Sequence, residues 1–286
     1  MPPPATRLAI DLSGGLIRVL EGSLGGPIRS GSGGTPPGSL VDGRILDVNA
    51  VGGALRQLVA RTEIKGTHAL VAASDAVATF RVLRLPRSAS EKDVGAAVAR
   101  ELALDPERMS TQWVDVPTQE DERRIYAVAW DSALVNGITA ATRAAGLEPI
   151  AVDLKSACIA RTAPESACVV VDMASDPVDV FLIDRNVPQV WHSFRMDRAA
   201  GDDVGPSLVG PLRSVLRFYK RRRDTNFQPA APILIASDQS ISSASAEWLH
   251  RMVGHPVTNL PLPPRVPTDL RHATYLTCLG LVMRRT

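Results

Sequence analysis

Two stretches of this chain share one design. LAIDLSGGLIRVLEG, Leu8 to Gly22, is an apolar run that stops on Asp11, turns through Ser13-Gly14-Gly15 and returns as a second apolar run. CVVVDMASDPVDVFLID, Cys168 to Asp184, stops on Asp172, turns through Ala174-Ser175-Asp176-Pro177 and returns likewise. Each opens a half that continues with a further strand and then a helix. Internal duplication of a β-β-β-α unit constrains the fold far more than either turn does. It predicts an α/β protein of two related lobes.

The 286 residues suit one large or two medium domains. With 45% hydrophobic residues the chain can bury a core. A net charge of +2 and 4% aromatics give no basis for nucleic-acid binding. Cys158, Cys168 and Cys278 form no CxxC, which argues against a disulfide framework or structural zinc and fits a reducing cytoplasm. No run reaches the ~20 apolar residues of a membrane span, and MPPPATR lacks a signal-peptide core. The chain is expected to be cytoplasmic, with any membrane role peripheral.

Strands are expected at Leu8–Leu12, Leu16–Glu21 and near Leu40–Ile45, then a helix over Asn49–Arg61. Gly22 to Gly38 reads as a loop. His68–Ala73 and Ala78–Leu85 read as strands, and Ser88-Ala89-Ser90-Glu91 as a capping box for a helix to Leu104. Strands at Gln112–Val116 and Ile125–Trp130 precede a helix capped by Asp131 and stopped by Gly146. Past Pro164 come the second strand set, helices over Ser207–Lys220 and Ala244–Val253, a strand at Ile233–Ala236 and a helix over Thr268–Arg284.

The duplicated plan resembles the actin, Hsp70 and sugar-kinase superfold, which is ribonuclease H-like in each lobe. LAIDLSGGLIRVLEG, GSLVDGRILDVNAVGGALRQLV, FRVLRLPRSASEKDVGAAVAREL and AAGLEPIAVDLKSACIAR, in that order, resemble the PilM family of type IV pilus assembly proteins. VVVDMASDPVDVFLID and SVLRFYKRRR extend the likeness more loosely. The resemblance implies a first lobe over 1–73 and 147–164, an inserted partner-binding subdomain over 74–146, and a second lobe over 165–286. It implies a scaffold at the inner face of the inner membrane. The partner would be a membrane-anchored, PilN-like protein that offers a short N-terminal peptide. Strand alternation in FRVLRLP sets Arg81 with Leu83 and Leu85, and predicts a strand face left open for a partner.

In the superfold each Asp hairpin can hold phosphate and magnesium. Asp11, Ser13, Gly14, Gly15 and Asp172 are the matching nucleotide residues here, although Ser13-Gly14-Gly15 also suits a plain hairpin. The second loop departs from the pattern. Pro177 has no N–H to donate, and Asp176 adds a charge that repels phosphate. LIASDQS, Leu234–Ser240, lacks the glycines expected beside adenosine. The stretch between Met196 and Ser214 is too short for the helical subdomain that walls the cleft. The expectation is a degenerate ATPase with no catalytic residue and no cofactor, ATP and magnesium being disfavoured. An active ATPase of the same machine and a type II secretion platform component are the alternatives; a sugar kinase has no substrate constellation. The five histidines have no metal-ligand spacing. Tyr219-Lys220-Arg221-Arg222-Arg223 is either a lipid contact or a helix end favoured by the dipole.

Overall fold

The computed structural model describes residues 7–102, 105, 108–196, 204–221, 227–228 and 230–284. The first half runs through β1 (Arg7–Asp11), β2 (Leu16–Gly22), β3 (Ile28–Gly34), the short pair β4 (Leu40–Val41) and β5 (Arg44–Ile45), α1 (Val48–Arg61) and β6 (His68–Ala73). Then come β7 (Ala78–Pro86), α2 (Glu91–Glu101), β8 (Met109–Val116), β9 (Glu122–Asp131), α3 (Ser132–Ala144), β10 (Glu148–Leu154) and α4 (Lys155–Thr162). The second half holds β11 (Cys168–Asp172), β12 (Val178–Asp184), β13 (Val187–Phe194), α5 (Gly205–Lys220), β14 (Ile233–Ala236), α6 (Ser243–Val253), β15 (Val257–Asn259) and α7 (Leu276–Val282).

The duplication is visible in strand order. One sheet is β10-β6-β1-β2-β3 and the other β13-β12-β11-β14-β15. In each, the Asp-ended strand pairs antiparallel with its hairpin partner and parallel with a later strand. Both central strands are covered on two faces, which is why they read as unbroken apolar runs. On the first sheet, α1 and α3 bury Val51, Leu55, Ile138 and Ala141 against Ile10, Val19 and Val71. On the second, α5 and α6 bury Leu208, Leu212 and Leu249 against Val169, Val180 and Ile235.

Helix ends follow local chemistry. Asp47 accepts from Ala50 N at 2.9 Å and Asp131 from Ala133 N at 2.9 Å. The capping box of α2 is Ser90 with Asp93 and begins two residues later than the sequence suggests, because Ser90 accepts from Asp93 N while Asp93 accepts from Ser90 N.

The boundaries of the parts differ from expectation at three places. IRSGSGG is a strand, not a loop. A Cβ on Gly31 would lie 2.2 Å from Thr62 Cγ2, so small residues let the end of α1 lie on this edge strand, at the cost of the apolar alternation that marks a strand. α3 packs on α1 and contributes Ile138 and Ala141 to the first-lobe core, so the insert ends at Asp131, not Gly146. The last segment crosses back: Val266, Tyr275, Cys278, Leu279 and Leu281 pack on Ala9, Leu20 and Leu70 of the first lobe. Only Leu276–Val282 of that segment is α-helical, since Thr274 N and Oγ1 are bonded to Asp238. The three cysteines are free and buried.

α7 and α4 meet almost backbone to backbone. A Cβ on Gly280 would lie 2.1 Å from the Cys158 carbonyl oxygen. Gly280→Ala should therefore lower stability by at least ~2 kcal/mol through overpacking. In Gly53 of α1, a Cβ meets nothing within 4 Å, and Gly53→Ala should be neutral or stabilising by up to ~1 kcal/mol. Urea denaturation of the two variants checks the contrast.

Candidate functional site

The two Asp-ended strands bring their turns face to face between the lobes. A Cβ on Gly15 would lie 4.0 Å from the Asp176 carbonyl oxygen, so little room separates first turn from second. The predicted residues Asp11, Ser13, Gly14, Gly15 and Asp172 are thus gathered at one place. What the sequence did not single out is that two cations lie there with them.

The first is Arg18, the cross-strand partner of Asp11 on β2. Its Nη1 lies 3.2 Å from Asp11 Oδ2, with side-chain exposures of 3% and 1%. Its Nη2 donates across the lobes to the Ala174 carbonyl at 2.9 Å. The other oxygen of Asp11 accepts from Ser13 N at 2.9 Å and Ser13 Oγ at 2.5 Å. Both carboxylate oxygens are therefore engaged within the chain.

The second is Lys155, the first residue of α4 and 3% exposed. Its Nζ lies 2.7 Å from Asp172 Oδ2 and 2.6 Å from Asp179 Oδ2, and donates to Ser175 Oγ at 2.8 Å. All three ammonium hydrogens are thus used. Asp172 also accepts from Ser175 Oγ and, on its other oxygen, from Ala174 N. Asp179 accepts on Oδ1 from Trp191 Nε1 at 3.1 Å. Burial disfavours the ionised form of Asp172, but Lys155 and Arg18 outweigh it and hold its carboxyl below the ordinary value. Burial also opposes the charge on Lys155, and Asp172, Asp179 and Asp11 overcome it, raising the ammonium above its usual range.

Two signals for these cations were present in the chain. Arg18 interrupts an apolar strand directly opposite Asp11. Lys155 puts a positive charge on a helix N-terminus, where the dipole disfavours it. On the side where the superfold would place adenosine, Leu234–Ser240 ends β14 in a turn held by Asp238, which accepts from Thr274 Oγ1 at 2.5 Å. Where a helical wall would stand, β13 ends at Phe194 and α5 starts at Gly205, with no further helix among the described residues between them. Of that connection, residues 197–203 lie outside the described residues, as do Arg222 and Arg223 of the basic run.

The expected partner residues are placed differently from one another. Arg81 is exposed, whereas Leu83 is 7% exposed and belongs with Val94, Ala97 and Val98 to the core of the insert. Leu85 is half-buried against the same core. The opposite face of β7, with Phe80 and Val82, packs with Tyr126, Leu154 and Val187. The lower part of that face, Leu83 and Leu85, is thus covered by α2, while Thr79 and Arg81 on it stay exposed, and the other face meets the lobes. Among the described residues no group of His, Cys, Asp or Glu is placed to hold a metal ion.

Similar architecture occurs in solved structures. The PilM-PilN type IV pilus biogenesis complex contains a chain that matches with a TM-score of 0.74 at 18% identity, over 98% of this chain and 98% of that one. The fold is that of PilM. It is an actin-like fold of two lobes. The cytoplasmic domain of EpsL, an inner-membrane component of the type II secretion system of Vibrio cholerae, matches at TM-score 0.55 and 11% identity, over 99% and 97% of the two chains. The ethanolamine utilization protein EutJ from Carboxydothermus hydrogenoformans matches at 0.54 and 15%, over 98% and 90%. No protein-family model and no curated protein sequence matches the chain.

Removing Lys155 would strand Asp172 and Asp179 out of water. Lys155→Met should cost about 3–5 kcal/mol in urea denaturation at pH 7. The pH dependence follows from the depressed Asp172 carboxyl. Its contribution is present above the unfolded value near 4 and is lost as pH falls through the lower folded value. In Lys155→Met burial dominates, the folded state binds protons more readily, and the deficit should shrink as pH falls from 7 to 5.

Proposed function

We propose that this protein is a nucleotide-independent scaffold of a type IV pilus, or related secretion, assembly platform at the inner membrane. The observation that carries this reading is the filled cleft. In actin-like proteins that use nucleotide, phosphate and magnesium lie between the two Asp turns. Here Arg18 and Lys155 provide the positive charge, and the oxygens of Asp11 and Asp172 are engaged by the chain itself. A polyphosphate would have to displace two buried ion pairs and face Asp176. A magnesium-bound water would have to compete with Arg18 and Ser13 for Asp11. Neither the Pro177 turn nor the Asp238 turn offers a glycine cradle in return.

The full-length match to the PilM chain supports a PilN-like partner, and the insert is the part we assign to it, through exposed Arg81 and the half-buried Leu85. Leu83 serves the core of the insert and supports that surface from within. The match to the EpsL domain supports the secretion-platform alternative on the same scaffold logic. No helix among the described residues is long and apolar enough to cross a membrane, so attachment in this reading comes through the partner's peptide.

Two measurements test the proposal. Calorimetry should show ATP affinity weaker than ~100 μM, or about −5.5 kcal/mol, with or without magnesium. Micromolar, magnesium-dependent binding abolished by Asp11→Ala would overturn it in favour of an ATP-using protein. With anionic vesicles at physiological salt, the purified protein should stay in the supernatant. Four basic residues supply about 1 kcal/mol each only when close to the surface, and less when screened. Strong vesicle binding lost when Lys220, Arg221, Arg222 and Arg223 become Gln would make the basic run the anchor.

A further inference from the structure

A second buried polar cluster lies where the insert meets the lobes, and its members are none of the residues gathered between the Asp turns. The chain passes from β6 into the insert through a single turn, Asp75–Val77, and Asp75 is 2% exposed. Its Oδ2 accepts from Ser156 N, the second residue of α4, at 2.9 Å. The residue before α4 is Leu154, whose side chain makes no cap, so Asp75 satisfies that helix end from a distant part of the chain. Facing both from the insert is Tyr126 of β9, which packs with Leu154 and Val82. The turn into the insert, a strand of the insert and the helix that leads to the second lobe thus converge on one carboxyl.

The charged groups that face this cluster are already committed. Lys155 precedes Ser156, but its three ammonium hydrogens are taken by Asp172, Asp179 and Ser175. Arg161 of α4 is paired with Asp153 of β10 at 2.5 Å. Asp179 of β12 adds a like charge, and Cys158 of α4 is a thiol that burial keeps neutral. Asp75 Oδ1, Ser156 Oγ and Tyr126 Oη are all buried, and none makes a well-aligned hydrogen bond among the described residues. Such groups are few in native proteins and costly when left unmade. Burial outweighs the Ser156 hydroxyl and amide and lifts the Asp75 carboxyl to about 7, while it pushes the Tyr126 phenol well up. A metal cation is a poor answer to the three oxygens, because the α4 N-terminus and Lys155 both repel it. A proton is a good one. Protonated Asp75 still accepts from Ser156 N on Oδ2 and gains a hydrogen to donate to a hydroxyl.

We propose that Asp75 is a proton-operated latch between the insert and the lobes. With the proton on, the turn that leads into the insert is fixed to α4 and the three oxygens share hydrogens. With it off, a buried charge without a free counter-ion loosens that turn. Ser156 follows Lys155, so the latch acts on the same helix end that holds the second lobe. The direction follows from linkage. The ordinary carboxyl value is near 4, so the penalty of ionising Asp75 is absent below about 4, grows as pH rises, and is complete above about 7. The insert is therefore held more tightly at pH 6 than at pH 8. This latch goes beyond the scaffold reading and does not depend on it.

Two measurements on the full chain test it. The carboxyl carbon-13 shift of Asp75 should titrate with a midpoint above about 6, and a midpoint below that would overturn the proposal. Hydrogen exchange, corrected for the pH dependence of the chemical step, reads how often the junction opens. Residues 74–86 and 122–131 should open about tenfold more often at pH 8 than at pH 6. Asp75→Asn is neutral at every pH and keeps an acceptor for Ser156 N, so there the ratio should fall to about one. Equal opening of the wild-type segments at the two pH values would overturn the proposal. So would a ratio that Asp75→Asn leaves unchanged, which would assign the pH dependence to other groups. Should Asp75→Asn fail to fold, the titration and the wild-type exchange still decide the matter.

Discussion

Asp11, Arg18, Lys155, Asp172 and Asp179 meet out of water where the Asp-ended strands of the two sheets face each other. Taking each ion out of water costs several kcal/mol, and mutual attraction returns this only with good geometry and every hydrogen bond made. The geometry here is nearly complete, Arg18 Nε being the one buried nitrogen of the cluster without a partner. The cluster therefore adds little net stability but permits few arrangements of the lobes. An opening that parted Lys155 from the second lobe would expose Asp172 and Asp179 on one side and leave Lys155 unpaired on the other, while Arg18, still paired with Asp11, would lose the Ala174 carbonyl. The resting geometry of the two lobes is thus set by charges that belong to the chain and are present at all times.

Much of the architecture could be read from the sequence because it rests on local rules. The two apolar-Asp-turn-apolar hairpins, the cap at Asp131 and the left-handed Gly146 all obey short-range chemistry. What escaped was set by neighbours distant in sequence. β3 hides among glycines that exist to admit Thr62. Whether α3 belongs to the insert or to the first lobe is decided by its packing on α1. That Phe80 and Val82 of β7 pack inward depends on Leu154 and Val187, far away in the chain.

The site was half legible for the same reason. Asp11 and Asp172 announce themselves as the ends of apolar runs, and the duplicated pattern says that they will face each other. Their counterions are read less easily. Arg18 is a local cross-strand partner, but Lys155 reaches Asp172 and Asp179 from another element, and a lysine at a helix start has several ordinary explanations. Loss of glycine and gain of Pro177 point to a degenerate loop. They do not tell that the cavity has been filled from inside.

The return of α7 to the first lobe bears on how the protein is made. Ala9 and Leu20 leave the ribosome well before the helix that covers them, which spans Leu276–Val282. At ~5–20 residues per second, the first sheet stays uncovered on one face for roughly 15–50 s. Over that time β1, β2 and β6 present an apolar surface to whatever is near. The first lobe is thus synthesised before the second yet completed after it, and a holding chaperone would find its natural client in the nascent chain before Gly280 emerges.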